Sequence, residues 1–157
     1  MTIKYRGDFF TYHSWFKAAL GSENIILRNI SALECLDLFS GPPHEKIIDV
    51  YALKKGKTAN VNYFLVKSFE DIEICRIRGL RCASLAHTAN DMLSQWTKWK
   101  NSERRALCTA LANFYCSNGD SFSGLRISTE NWPEFQVIKD WVISNYSTAK
   151  YSKKDDK

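Results

Sequence analysis

The 157-residue chain has no GxGxxG run, no P-loop, no HExxH and no nucleophile elbow. The short motifs that announce dinucleotide, nucleoside triphosphate, zinc-protease or serine-hydrolase chemistry are therefore missing. Histidine is scarce, with only His13, His44 and His87 to serve as a general base or metal ligand. The five cysteines are an odd number and show no CxxC spacing, which argues against a zinc ribbon or a disulfide framework and fits free thiols in a reducing cytoplasm. No apolar run approaches the roughly 20 residues a membrane span requires. Lys4, Arg6 and Asp8 interrupt the first ten residues where a signal peptide would carry its apolar core. With three prolines and seven glycines, no linker, repeat or low-complexity tract stands out. These absences lead to the expectation of a soluble, cytoplasmic protein with no membrane contact, no cofactor and no metal.

What is present suits a globular domain. Hydrophobic residues make up 45% and charged residues 25%, which disfavours wholesale disorder. The length is enough for one core, so residues 1–149 are expected to form a single domain and the charged residues 150–157 a frayed tail. Aromatics reach 13%, with Trp15, Trp96, Trp99, Trp132 and Trp141 among them. Most should pack inside, and any left outside would mark a partner surface. A net charge of +5 suits an acidic protein or RNA but is low for a dedicated nucleic-acid binder.

Periodicity and punctuation then place the elements. Thr11 can cap a helix bearing Trp15, Phe16, Ala19 and Leu20, stopped by Gly21, and Ile25 to Leu27 reads as a short strand. Ser31-Ala32-Leu33-Glu34 has capping-box spacing and predicts a helix that buries Leu33, Leu36 and Phe39 before Gly41-Pro42-Pro43 ends it. Ile47 to Leu53 and Val61 to Val66 read as strands joined through a basic hairpin tip at Lys54-Lys55-Gly56-Lys57. Ile72 to Ile77 and Leu80 to Ser84 pair around an Arg78-Gly79 turn. Three helices follow. The first begins at Ser84 or Thr88 and the second at Ser102 and Glu103, ending near Asn118-Gly119. The third opens at Asn131-Trp132-Pro133 and carries Phe135, Ile138, Trp141, Val142 and Tyr146. The fold class predicted is α+β, a small antiparallel sheet covered by N-terminal and C-terminal helices.

Candidate chemistry is thin. A Cys82/His87 nucleophile pair, or a metal set of His44, Cys75 and Cys82, lacks any local signature, and buried thiols with solvated imidazoles are the simpler reading. Cys75 and Cys82 should face each other across the Arg78-Gly79 hairpin as reduced thiols, and Cys108 and Cys116 should pack on a helix. Glu45, Asp49, Glu70, Asp71 and Glu73 read as solvated strand ends. The basic turns carry more weight. Lys54, Lys55 and Lys57 at one turn and Arg76, Arg78 and Arg81 at the other would make a positive ridge if both lie at one end of the sheet. That ridge reads either as a solvated end or as a docking surface for an acidic protein or a phosphate backbone, with an exposed Trp99 as the apolar anchor.

Ser31-Ala32-Leu33-Glu34-Cys35-Leu36, followed by Arg81-Cys82-Ala83-Ser84-Leu85-Ala86-His87-Thr88-Ala89-Asn90-Asp91-Met92-Leu93, resembles the C-terminal domain of AbiEi-type antitoxins. The resemblance spans Asn29 to Leu93: a Ser-Ala-Leu helix start, a small β unit, and a Thr-x-x-Asp entry into a helix. It implies a non-enzymatic protein that binds and neutralises a nucleotidyltransferase-type toxin in a bacterial or phage-defence operon. Family members commonly begin with a winged helix-turn-helix that binds the operon promoter. This chain enters almost directly in the second domain, which sets transcriptional autoregulation outside the expectation. On physical grounds Thr88 and Asp91 read as helix-start residues rather than catalytic ones. The alternative function is an RNA- or DNA-binding accessory protein using the basic turns, and a third is an enzyme with a Cys or His site.

Overall fold

The computed structural model describes residues 3–5, 8–10, 12–41 and 47–147. Thr11, Pro42, Pro43, His44, Glu45 and the tail 150–157 lie outside the described residues. The element order starts with a small antiparallel pair, β1 (Ile3–Tyr5) and β2 (Asp8–Phe10), then α1 (Tyr12–Leu20), β3 (Ile25–Leu27) and α2 (Asn29–Cys35). β4 (Ile48–Ala52), β5 (Val61–Leu65), β6 (Ile74–Ile77) and β7 (Leu80–Ala83) complete the strands. α3 (Leu85–Ser94), α4 (Asn101–Ser117) and α5 (Trp132–Tyr146) close the chain. The fold is α+β, with helices flanking a five-stranded sheet of order β5-β4-β3-β7-β6.

That sheet is mixed rather than antiparallel. β3 runs antiparallel to β4 but parallel to β7, and β4 and β5, expected as a hairpin, run parallel in the register Ile48↔Val61 to Ala52↔Leu65. A five-residue strand is only about 17 Å long, so the eight residues 53–60 can return along it without a crossover helix. Glu23, just before β3, holds that return in place. It accepts from the Thr58 hydroxyl and, at 2.5 Å, from the Tyr63 phenol, which itself accepts from Thr58 N–H at 3.2 Å. Gly56 passes so close to the Glu23 carboxylate and the Tyr63 phenol that a Cβ there would overlap both. The alternation within β5 points the same side chains inward for either strand direction, so the pattern alone carried no information on polarity.

The β6–β7 hairpin forms as expected around Arg78-Gly79. Both residues have positive φ, 51° and 84°, the pattern of the tight turn that matches strand twist. Cys75 and Cys82 are direct cross-strand partners with free thiols.

α2 departs most from expectation. It starts at Asn29, two residues before Ser31, and the Ser31–Glu34 capping box does not form. Ser31 Oγ instead accepts from Asp49 N–H of β4 at 3.0 Å, and Glu34, fully buried, accepts from Gly41 N–H at 3.4 Å. The helix stops at Cys35, short of Gly41. Asp37 takes φ 60°, with Asp37 N–H bonded to Glu34 O and Leu38 N–H to Leu33 O, the paired bonds of a Schellman ending.

Two apolar clusters meet at this helix. Ala32 and Cys35 pack with Phe16 of α1 and Ile26, Val50 and Cys82 of the sheet. Leu33 points the other way into Met92, Leu107, Leu111, Phe135 and Val142 of the three C-terminal helices. These helices start and stop largely as their punctuation suggests. Ser84 caps α3 by accepting from His87 N–H at 3.1 Å, Glu103 accepts from Lys100 N–H at 3.3 Å, and Gly119 at φ 68° follows α4. Pro133 occupies the first turn of α5.

Because Gly56 sits where no side chain fits, Gly56→Ala should cost about 1–3 kcal/mol, the scale of overpacking a filled site. Urea melts read the loss. An unchanged midpoint would mean that the return loop does not pack against Glu23 and Tyr63.

Candidate partner-binding surface

Three groups of side chains could act on another molecule: a polar hub inside the domain, the cationic end of the sheet, and a groove between α4 and α5. The hub joins the end of β3 to β4 and α3. Arg28 Nη2 donates to Asp91 Oδ2 at 3.1 Å, and the Tyr51 phenol donates to the same oxygen at 3.0 Å. The phenol has one proton to give, so at 3.3 Å from His87 Nε2 it accepts, which puts the imidazole proton on Nε2. Arg28 also lies over the Phe64 ring, 4.2 Å from its centroid, and over Tyr51 at 4.9 Å. Its side chain is 8% exposed and that of Asp91 26%, so the pair is largely withdrawn from water.

This corrects the reading of Thr88 and Asp91 as helix-start residues. Ser84 is the cap, Thr88 is fully buried within α3, and Asp91 lies further along α3 as the counter-ion of Arg28. Burial, then the Asp91 charge, pushes the Tyr51 phenol up to about 12.

The thiols sit apart from the hub. Cys82 is buried against Cys35; that contact first, and burial second, holds its thiol far above the ordinary range and away from the nucleophilic thiolate. His87 turns to Tyr51, so Cys82 and His87 have different partners. Among the described residues no three His, Cys, Asp or Glu side chains converge on a point where they could hold a metal ion. His13, buried on α1, has its Nε2 2.7 Å from Cys35 O and its Nδ1 3.2 Å from Arg78 Nη1. A carbonyl only accepts and a guanidinium only donates, so Nε2 carries the proton and Nδ1 accepts.

The two basic turns do lie at one end of the sheet. Ala52 pairs with Ile25 and Cys82 with Leu27, so Lys54 and Lys55 leave β4 at the same end where Arg78 and Gly79 turn into β7. The six cations are not equivalent. Lys54, Lys55, Lys57, Arg76 and Arg78 are all exposed, but Arg78 also bonds His13. Arg81 donates to Asn24 Oδ1 at 2.5 Å and Ile25 O at 3.1 Å and lies over Phe69. Trp99 is no exposed anchor. Its indole N–H donates to Met92 O at 3.1 Å, and the ring packs half-buried against the helical core.

Exposed aromatics are Phe64 on β5, which lies under Arg28, and three side chains on α5. This helix buries Phe135, Ile138 and Val142 but leaves Trp132, Val137, Trp141, Ile143 and Tyr146 at least 39% exposed. On its flank toward α4 lies a groove of about 690 Å³. Cys108 and Ile138 lie along it with Trp96 and Arg105 on one side, and with Pro133, Val137 and Trp141, spaced four residues apart on α5, on the other. Trp141 and Tyr146 share the three- and four-residue spacing of Phe135, Ile138 and Val142 but are exposed. The signal that they lie outside was the apolar content of α5 around its whole circumference, more than one buried stripe can absorb.

No protein-family model matches the chain, and no curated protein matches it. Among the described residues no helix is long and apolar enough to cross a membrane.

Two measurements check the hub. Asp91→Ala strands the Arg28 guanidinium and should cost about 3 kcal/mol, the lower end for orphaning a buried charge; wild-type stability would show that the pair is incidental. Because the folded-state value for Tyr51 is raised above the usual 10.0, the unfolded chain ionises first. Stability from this phenol is complete below pH 10.0 and is lost as the pH climbs to about 12. Tyr51→Phe should lose less stability over that interval.

Proposed function

We propose that this chain is a non-catalytic, antitoxin-like module that binds and neutralises a nucleotidyltransferase-type toxin encoded beside it in a bacterial or phage-defence operon, and that it works in the cytoplasm. One observation carries the binding half of this reading: five large apolar side chains stand exposed on the single helix α5. Val137 and Trp141 stand beside the α4–α5 groove, and Trp132 and Ile143 on the other flank of the helix. Exposed apolar surface marks interaction sites, and Trp and Tyr supply much of the energy of protein interfaces. The identity of the partner rests on the resemblance of the Ser31–Leu36 and Arg81–Leu93 segments to AbiEi-type antitoxins. The chemistry is consistent with binding rather than turnover. The hub spends Arg28, Tyr51 and Asp91 on one another, and the Cys82 thiol is held protonated.

A second reading, an RNA- or DNA-binding accessory protein, is favoured by the exposed Lys54, Lys55, Lys57 and Arg76 at one end of the sheet. Salt separates the two. Phosphate binding gives a linear fall of log affinity with log salt whose slope counts phosphates, while a protein interface anchored by α5 depends on salt mainly in its association rate.

Co-expression of the chain with the neighbouring nucleotidyltransferase should restore growth, and the two should co-purify across a salt series. Trp141→Ala should weaken the complex about tenfold or more, as for an aromatic hot spot. Steeply salt-dependent RNA binding, with no affinity for the neighbour, would overturn the antitoxin reading in favour of the accessory protein.

A further inference from the structure

Resting on the assignment of α5 as the partner face, we infer that the α4–α5 groove seats an amphipathic helix of the partner whose apolar stripe is flanked by acidic residues. The floor of the groove is apolar, and on its α5 wall Pro133, Val137 and Trp141 recur every four residues beside a single carboxylate, Glu134. An incoming helix presents side chains at the same interval, and this is the geometry of helix-in-groove recognition. The volume of about 690 Å³ accommodates several anchoring side chains. Val137, at 70% exposure the most exposed large apolar side chain among the described residues, stands at the centre of the stripe.

Charge decides the flank. The segment entering α4 and its first turns carry Lys98, Lys100, Arg104 and Arg105, against one carboxylate, Glu103, which accepts from the Lys100 backbone. Arg104 is held over the Trp96 ring and donates to Trp96 O at 2.9 Å, while Arg105 lines the groove itself. Opposite them, α5 contributes Glu134. A helix lying between these walls is stabilised by Asp or Glu toward α4, and Lys or Arg there is repelled. A second copy of the chain would bring Arg105 and the adjoining Arg104 against a molecule with the same net charge of +5, which is a poorer match than an acidic segment.

The probe is a synthetic amphipathic peptide of about 20 residues, long enough to be partly helical alone. It carries Leu at helical spacing, Glu along one flank and Gln elsewhere; its counterpart replaces each Glu with Lys. Fluorescence anisotropy should show the Glu peptide binding in roughly the micromolar range and the Lys peptide about tenfold weaker. Val137→Asp, at an exposed position that leaves the core intact, should abolish binding of the Glu peptide. Arg105→Glu should weaken it about fivefold and narrow the preference over the Lys peptide. Failure of both peptides to bind, equal affinity for both, or undiminished binding by Val137→Asp would each overturn the inference. So would concentration-dependent dimerisation that Val137→Asp abolishes, because the face would then belong to a second copy. Toxin neutralisation that survives Val137→Asp would sink the groove and leave the antitoxin reading standing. Peptide selectivity without any toxin binding would keep the groove and remove that reading.

Discussion

Everything in this domain hangs on burying α2 from both sides. Its seven residues, Asn29 to Cys35, lie between the sheet and the C-terminal helices, and six of them are buried. A helix so short has little stability of its own and depends on its tertiary contacts. Yet it carries Asn29, Ser31 and Glu34 into the interior, where a polar group without a partner costs more than a hydrogen bond returns. The surroundings meet two of them, with Asp49 N–H on Ser31 and Gly41 N–H and the Tyr12 phenol by Glu34, and the His13 ring bonds Cys35 O. Asn29 Oδ1 is buried without a hydrogen-bond partner. α1, β4 and the segment after α2 are thereby fixed to one central rod.

The Arg28–Asp91–Tyr51 hub extends the same constraint. Arg28 lies at the junction of β3 and α2, Tyr51 near the end of β4 and Asp91 on the face of α3 turned toward them. The two apolar clusters share α2, and the hub adds a directional tie that apolar packing alone lacks. A buried ion pair of this kind adds little net stability over apolar packing, but it penalises arrangements in which one partner is missing. That is a reason to find it at a seam between two halves of a fold.

Much of the fold was legible because it is governed locally. Gly21 and Gly119 past helix ends, Pro133 in a first turn, Ser84 as a cap and Arg78-Gly79 between alternating runs all act through nearest-neighbour backbone geometry. The misreadings share the opposite cause. Ser31-Ala32-Leu33-Glu34 has perfect capping-box spacing, but distant groups, Asp49 N–H and Gly41 N–H, took both side chains. The parallel course of β5 is set by Glu23, some forty positions earlier, through the Tyr63 hydroxyl. Asp91 has the chemistry of a helix-start residue, but Arg28 and Tyr51, 63 and 40 positions away, take its carboxylate. At the surface, charge was easier to read than apolar exposure. The cationic end of the sheet follows from strand pairing, whereas separating Trp99, tied to Met92 O, from the exposed Trp141 needs three-dimensional neighbours.

The central strand pairing also governs the order in which the domain assembles. The β6–β7 hairpin joins close neighbours in the chain and can form within microseconds. The β3–β7 pairing, Leu27 with Cys82, must wait for a long loop to close and is entropically expensive until other contacts reward it. Between them lies α2, too short to persist before both walls arrive. The sheet and the helical half must therefore condense together around it, giving a single cooperative step rather than a stable half-folded form.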